Sequence, residues 1–345
     1  MPDPPLAEQF HDLLDFADSQ VRAGLRATGF FRIAGRTLKV TAPADLLAAV
    51  ADPLAHLACM EAPAVITWHL FRKDTFFCRG VPARWIWEQQ RYDDGRFDFR
   101  VDHLHAGITA TDRLTNVSVL IAPDFDLDRW RRPESSRPAL ERLLSGLGLV
   151  SVHGGTIGNL TQGVLLTAPG GRGKSSLVAA GVRSGFSTTG DDFLCLEQRP
   201  SGPLLHSMYR TVKLAPDSPA WRDELASGPM SDGPDGKHMT LLDHIRPGCL
   251  VDAHLPVALV VPRVGRRVGL VQIGHRDAVT ALVPSSAAMA SDRARAALAL
   301  SALASALPCY ALTLAHDPEA ELAALAQLLP VAVADYPAAE RGPLT

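Results

Sequence analysis

The segment Gly163-Val-Leu-Leu-Thr-Ala-Pro-Gly-Gly-Arg-Gly-Lys-Ser-Ser-Leu-Val-Ala179 constrains this chain more than any other stretch. Gly163 to Ala168 is a short apolar run of strand type, Pro169 to Gly173 can bend sharply, and Lys174-Ser175 opens an alanine-rich helical stretch. Strand, loop and helix in that order form a phosphate cradle. Glycines at 170, 171 and 173 let backbone N–H groups close on phosphate oxygens, and the helix N-terminus adds positive potential. Lys174 is placed for the β- and γ-phosphates and the Ser175 hydroxyl for Mg²⁺, with Gly170, Gly171, Arg172, Gly173 and Ser176 completing the expected nucleotide site. Ala168 stands where the usual pattern begins with glycine, a small residue that still fits the turn. The expected ligand is a nucleoside triphosphate.

Length and charge bound what surrounds this cradle. A chain of 345 residues is comfortable for two domains. Its 34 basic and 37 acidic residues include no extended Lys/Arg block, so no nucleic-acid partner is expected. The five cysteines, Cys59, Cys78, Cys195, Cys249 and Cys309, form no Cys-x-x-Cys pair, which points to a reducing compartment rather than to a zinc site or a disulfide scaffold. The first residues show no basic cluster followed by an apolar core, so a cytoplasmic protein is expected. Ala296 to Ala315 is uncharged and about as long as a bilayer span, but its alanines, its hydroxyls and Pro308 suit a buried helix followed by a strand, and no membrane association is expected.

The first third carries strand-like runs at Phe30 to Ile33, Thr37 to Thr41, Ala64 to Leu70, Arg84 to Arg91, Phe97 to Val101 and Val117 to Ile121, with a helix over Ala44 to Leu57. It reads as a β-rich (α+β) accessory domain over 1–135, suited to holding a substrate. His103 and His105 alternate on one strand face without a carboxylate or thiol at matching spacing, and Trp68, Trp85 and Trp87 read as packing. The polar, proline-bearing run Arg131 to Pro138 marks a boundary, followed by a helix over Ala139 to Leu147. An α/β domain over 136–345 then alternates strands near Gly163, Phe186, Val257 to Val261, Val268 to Ile273 and 309–314 with helices from Ser175, over Ser286 to Leu307, and from Asp317-Pro318.

Two features lie around the cradle. Asp191-Asp192 follows Lys174 by 17 residues, at the end of a segment expected to return as a strand beside the first, which would set both carboxylates near the metal and the γ-phosphate. One would hold Mg²⁺ and the other accept a proton from an attacking hydroxyl. His153, 21 residues before Lys174, ends an apolar strand and can pair with a carboxylate. Arg210, Lys213, Lys237 and Arg263 are candidate cations for the transferring phosphoryl group; Lys213 is preferred, because a cation between Val212 and Leu214 needs a partner.

His-Gly, then Ala-x-x-x-x-Gly-Lys-Ser, then Asp-Asp, in this order and spacing, resembles the catalytic half of the HPr kinase/phosphorylase family, and more closely the HPr-kinase-like proteins of lasso-peptide clusters. The resemblance covers about 147–197 best, with weaker likeness at Tyr209 to Leu214, around Arg263 and at Ala306 to Leu312. It implies a P-loop kinase domain of the phosphoenolpyruvate-carboxykinase-like type, ATP with GTP as an alternative, Mg²⁺, a serine of a peptide or small protein as acceptor, and a homo-oligomer. It makes Lys174 and Ser175 the phosphate and Mg²⁺ ligands, Asp191 the general base, Asp192 a metal-side carboxylate and His153 their neighbour, with the two aspartate roles open to exchange. The glycine loop with acidic and arginine residues that follows the paired aspartates in the HPr enzymes is missing here, so HPr as substrate and the reverse phosphorylase reaction are not carried over. A nucleotide-gated binding module with slow hydrolysis and a small-molecule hydroxyl kinase remain the alternatives.

Overall fold

The computed structural model describes residues 12, 14–16, 19–24, 26–72, 91–93, 95–102, 107–122, 131–216, 218, 231–232 and 236–329. Cys78, Trp85, Trp87, His103, His105 and most of the strand expected at 84–91 lie outside them.

Among the described residues, seven strands of the first third form one sheet in the order β1-β2-β3-β7-β6-β5-β4. They are β1 (Ala27–Ile33), β2 (Arg36–Ala42), β3 (Ile66–Arg72), β4 (Arg91–Asp93), β5 (Phe97–Asp102), β6 (Gly107–Asp112) and β7 (Val117–Ala122). β2, β3 and β7 run parallel and the other neighbours antiparallel. Helix α1 (Ala44–Ala51) buries Leu46, Ala49 and Val50 and gives way at Asp52 to a 3-10 turn through Leu57, with Pro53 near its start. Trp68 is fully buried in the core beneath.

The helix expected over Ala139 to Leu147 starts earlier, within the proline-bearing run 131–138. Helix α2 (Pro133–Gly146) begins at Pro133, because proline suits the first helical position, and its Ala139, Leu140, Leu143 and Leu144 join the core of the first sheet. That same core takes in Phe193 and Tyr209 from the second half of the chain.

The second half is a mixed α/β structure. Its larger sheet runs β17-β18-β16-β12-β11-β8, with β10 pairing β16 and β9. The strands are β8 (Val150–Val152), β9 (Gly155–Gly158), β10 (Gln162–Leu166), β11 (Leu194–Glu197), β12 (Leu204–His206), β16 (Ala253–Val264), β17 (Gly269–Gln272) and β18 (Cys309–Leu314). A small sheet, β13-β15-β14, comprises β13 (Thr211–Leu214), β14 (Ser231–Asp232) and β15 (His238–Leu241). β10, β16 and β18 are parallel neighbours. They are buried on both faces, which is why the sequence around Gly163 is a continuous apolar run rather than an alternating one. Val164, Leu166, Ala258 and Val260 meet helices α3 (Lys174–Arg183), α4 (Leu242–Ile245) and α7 (Pro318–Ala326) on one face. Leu165, Leu259 and Val261 meet α5 (His275–Ala287) and α6 (Arg293–Ala306) on the other.

Two further expectations are corrected. The single helix over 286–307 is two, because Asp292 caps α6 by accepting from Arg295 N at 3.0 Å while the N–H and hydroxyl of Ser291 donate to Glu141. The strand near Phe186 is absent: Ser187 and Thr188 make only single bridges, to Gly158 and Leu250. Side-chain hydroxyls take the place of ladder partners there, since Gly190 N donates to Thr188 Oγ1 and Thr189 N to Thr156 Oγ1. Among the described residues no helix is long and apolar enough to cross a membrane; the uncharged stretch from 296 breaks at Pro308 into α6 and β18.

Candidate active site

The loop 167–173 leaves the C-terminal end of β10 and enters α3 at Lys174. Gly171 and Gly173 sit in the left-handed region, at φ of +74° and +89°, and a Cβ on Gly173 would lie 2.4 Å from Leu314 Cδ1. The backbone favours glycine at both positions, and at Gly173 the contact with Leu314 excludes a side chain as well. Lys174 is only 6% exposed, and its Nζ donates to the Ala168 carbonyl at 2.6 Å. Burial draws its pKa down, against the opposing pull of Asp191 and Asp192. Ser176 Oγ lies 2.6 Å from Ser218 Oγ.

The paired aspartates end the irregular segment after α3. Thr156, Thr188, Thr189 and His254 hold that segment: Thr156 Oγ1 is 2.8 Å from Thr189 Oγ1 and 3.0 Å from His254 Nδ1, while His254 Nε2 faces the Asn159 carbonyl at 2.8 Å. A carbonyl can only accept, so Nε2 carries the proton and Nδ1 accepts from Thr156. Gly190 at φ +133° and Asp192 at φ +69° reverse the chain, closed by Phe193 N donating to the Asp191 carbonyl at 2.8 Å. A left-handed aspartate inside such a turn is strain held by its surroundings. Phe193 anchors it, packed edge-on against Tyr209 and beneath the Arg137 guanidinium at 4.5 Å.

The reversal turns the two carboxylates to different environments. Asp192 remains 28% exposed, with Oδ1 3.1 Å from His153 Nε2 and Oδ2 3.3 Å from Lys213 Nζ. Asp191 is 1% exposed, and neither of its oxygens has a hydrogen-bond partner of ordinary geometry among the described residues. Burial and the neighbouring Asp192 charge push its pKa up to about 6, although the Ser175 hydroxyl, Lys174 and His153 pull the other way. The Gly154-Gly155 pair after His153 allows this closeness: a Cβ on Gly155 would sit 2.7 Å from Val178 Cγ2 and 3.0 Å from Asp191 Oδ1.

A cavity of about 360 Å³ joins these parts. Gly170, Gly171, Arg172, Gly173, Lys174, Ser175 and Ser176 line it together with His153, Asp192, Lys213 and Lys237. Asp191 lies behind its wall. Two of the four cations considered from the sequence stand elsewhere. Arg210 binds Asp52 at 2.5 Å and Asp243 at 2.7 Å beside a separate cavity against β1, and Arg263 is exposed on β16.

Hard oxygen donors suit Mg²⁺, and the bare oxygens of Asp191 beside Ser175, with Asp192 at the cavity edge, offer such a set. Among the described residues no group of three or more His, Cys, Asp or Glu side chains could hold a metal ion.

The sequence reading missed the threonine and His254 brace and the Phe193 anchor. It also missed a second end of the cavity, lined by Val264, Leu314, His316, Pro318 and Glu321. Only the Asp317-Pro318 helix start gave a signal near that end. No protein-family model and no curated protein matches the chain. Among solved structures, the HPr(Ser) kinase/phosphatase from Coxiella burnetii is similar over 51% of this chain and 93% of its own, at 11% identity and a TM-score of 0.28, a distant likeness.

Proposed function

We propose that this protein is a Mg²⁺-dependent kinase that transfers the γ-phosphoryl group of ATP to a hydroxyl, a serine of a peptide or small protein. One observation carries the reading: a single cavity gathers the glycine loop, Lys174 and Ser175 at the start of a helix, and an aspartate bound to both a histidine and a lysine. Backbone N–H groups of the loop and the α3 N-terminus would bind the phosphates, and Lys174 would exchange the Ala168 carbonyl for phosphate oxygens. Bound Mg²⁺ would supply charge neutralisation at the β- and γ-oxygens. Lys213, beside Asp192, would stabilise charge on the transferring group.

Accessibility favours exchanging the two aspartate roles implied by the family resemblance. A proton acceptor must come within hydrogen-bond reach of the acceptor hydroxyl, and Asp192 lines the cavity whereas Asp191 is shut behind it. Asp192 would therefore take the proton, oriented by His153, and Asp191 with Ser175 would serve the metal side.

The test is incubation with ATP and Mg²⁺ and a panel of serine-containing peptides, followed by intact mass. Gain of one phosphate on a peptide, lost in Asp192→Asn, supports the reading; ADP release with every peptide unmodified overturns it. That second result would favour a nucleotide-gated module, for which the packing of Phe193 into the core of the first sheet provides a route of coupling.

A further inference from the structure

The end of the cavity lined by Val264, Leu314, His316, Pro318 and Glu321 has no part in phosphoryl transfer as described, and its chemistry differs from the rest. Strand order locates it. β10 pairs with β9 on one side and with β16 on the other, and β16 pairs with β18. His153 and Asp192 belong to the β9 side. Val264 and Leu314, paired with each other, end β16 and β18, one and two strands across on the opposite side and beyond the last pair that β10 makes, Leu166 with Val260. Contact is continuous along this edge, because Gly173 of the loop lies directly against Leu314.

A ligand whose phosphates rest on the loop thus has carboxylates at one end and this surface at the other. The described residues that line this end include no lysine or arginine. Val264 is 60% exposed although it is apolar, Leu314 and Pro318 add hydrocarbon, and His316 adds an exposed ring. The segment bearing that ring is held at both ends: Glu321 Oε1 accepts from Ala315 N at 2.9 Å, and Asp317 accepts from Ala320 N at 3.1 Å. His316 itself sits at φ +59°, an uncommon conformation for a residue with a side chain, so its ring is presented by a preformed turn rather than by a loose loop. A flat, uncharged, aromatic group suits such a surface, and phosphate does not.

Resting on the kinase reading above, we propose that this end is the nucleoside subsite, with the base stacked on His316 against Val264 and Pro318 and with Glu321 as the positioning residue for the turn. The nucleotide would then lie across the ends of β18, β16 and β10 with its γ-phosphate toward Asp192, leaving the β9 side for the acceptor.

Calorimetric titration of the full chain with two probes, Mg-ATP and Mg-tripolyphosphate, tests this, since the second probe has phosphates and no base. His316→Asn keeps a residue that tolerates the left-handed backbone and removes the ring stack. It is expected to weaken ATP about tenfold and leave tripolyphosphate unchanged, with His316→Tyr restoring ATP affinity. Equal weakening of both probes, or of neither, overturns the subsite. Failure of the unsubstituted protein to bind tripolyphosphate at all overturns the phosphate cradle itself, which separates the two proposals.

Discussion

Two buried aspartates, one in each half of the molecule, are treated in opposite ways. Asp112, at the end of β6, receives Arg96 through Nε at 3.1 Å and Nη2 at 3.0 Å, and also the Leu114 N–H at 2.9 Å. Burial raises its pKa, but these hydrogen bonds outweigh it and hold the carboxyl below its usual range. Asp191 is enclosed and among the described residues has no partner of ordinary geometry, so burial and the Asp192 charge outweigh the Ser175 hydroxyl and the pKa goes up to about 6. The contrast extends to the neighbourhoods. Asp98 of the first sheet pairs with Arg113 at 3.1 Å and His69 with Thr41 at 2.6 Å, whereas around the glycine loop Lys174 is left on a loop carbonyl and Asp192 sits in a left-handed turn. The acidic groups Asp98 and Asp112 of the first sheet are thus matched by cations, whereas beside the loop Asp191 is enclosed with no hydrogen-bond partner of ordinary geometry among the described residues, at a cost in stability.

If that contrast is right, substitutions in the two regions should separate chemistry from stability. The largest effect belongs to Asp192→Asn, for which transfer should fall about a thousandfold while nucleotide affinity is kept. Lys174→Ala should instead weaken nucleotide binding by about a hundredfold, read by titration. In the first sheet, Trp68→Ala should cost about 3 kcal/mol in denaturant unfolding, because a fully buried indole leaves a cavity. The folded fraction should still bind nucleotide as before. A loss of affinity there would show that the first core sets the loop, and not only the Asp191-Asp192 turn that it reaches through Phe193.

Asp191→Asn should stabilise the free protein, a smaller effect of opposite sign. Its carboxyl ionises near 3.8 when unfolded and near 6 when folded. The neutral form is thus favoured by folding, and stability falls as pH rises from the first value through the second. At pH 8 the substitution should add on the order of 2 kcal/mol without Mg²⁺ and nucleotide, and the gain should vanish below about pH 4. A destabilised Asp191→Asn at pH 8 would show that the carboxylate is satisfied after all and would remove the contrast with Asp112.

How much of this was legible in the sequence follows from how far apart the cooperating residues lie. The loop from Pro169 to Ser176 was readable because its chemistry and geometry are encoded in consecutive residues, glycines where φ is positive and apolar residues where β10 is buried on both faces. That Lys213 would have a partner was also readable, since a cation between Val212 and Leu214 needs one, but its identity as Asp192 was not. The exposure of Asp192 and enclosure of Asp191 were not, because they depend on Gly155 admitting Val178 and on Phe193 packing against Tyr209. Threonine hydroxyls replaced ladder partners near Phe186, so the segment expected there as a strand did not become one. His316 and Glu321 reach the loop only through the parallel pairing of β10, β16 and β18, a relation across about 140 residues that leaves no local mark.

The smallest prediction compares two helix caps of the same chemistry. Asp292 accepts from Arg295 N at 3.0 Å and Asp317 from Ala320 N at 3.1 Å, each closing the first turn of its helix. Replacing either by alanine should cost about 1 kcal/mol in unfolding, because one helical N–H loses its acceptor. Their surroundings differ. Asp292 opens α6, beside α2 and away from the glycine loop, whereas Asp317 follows His316 in the turn proposed to carry the base. Asp317→Ala should therefore lower ATP affinity a few-fold and spare tripolyphosphate, and Asp292→Ala should change neither. Were the two variants to match in ATP affinity as they do in stability, the 315–317 turn would be a structural element only, and the division between the two regions would have to be drawn closer to Lys174.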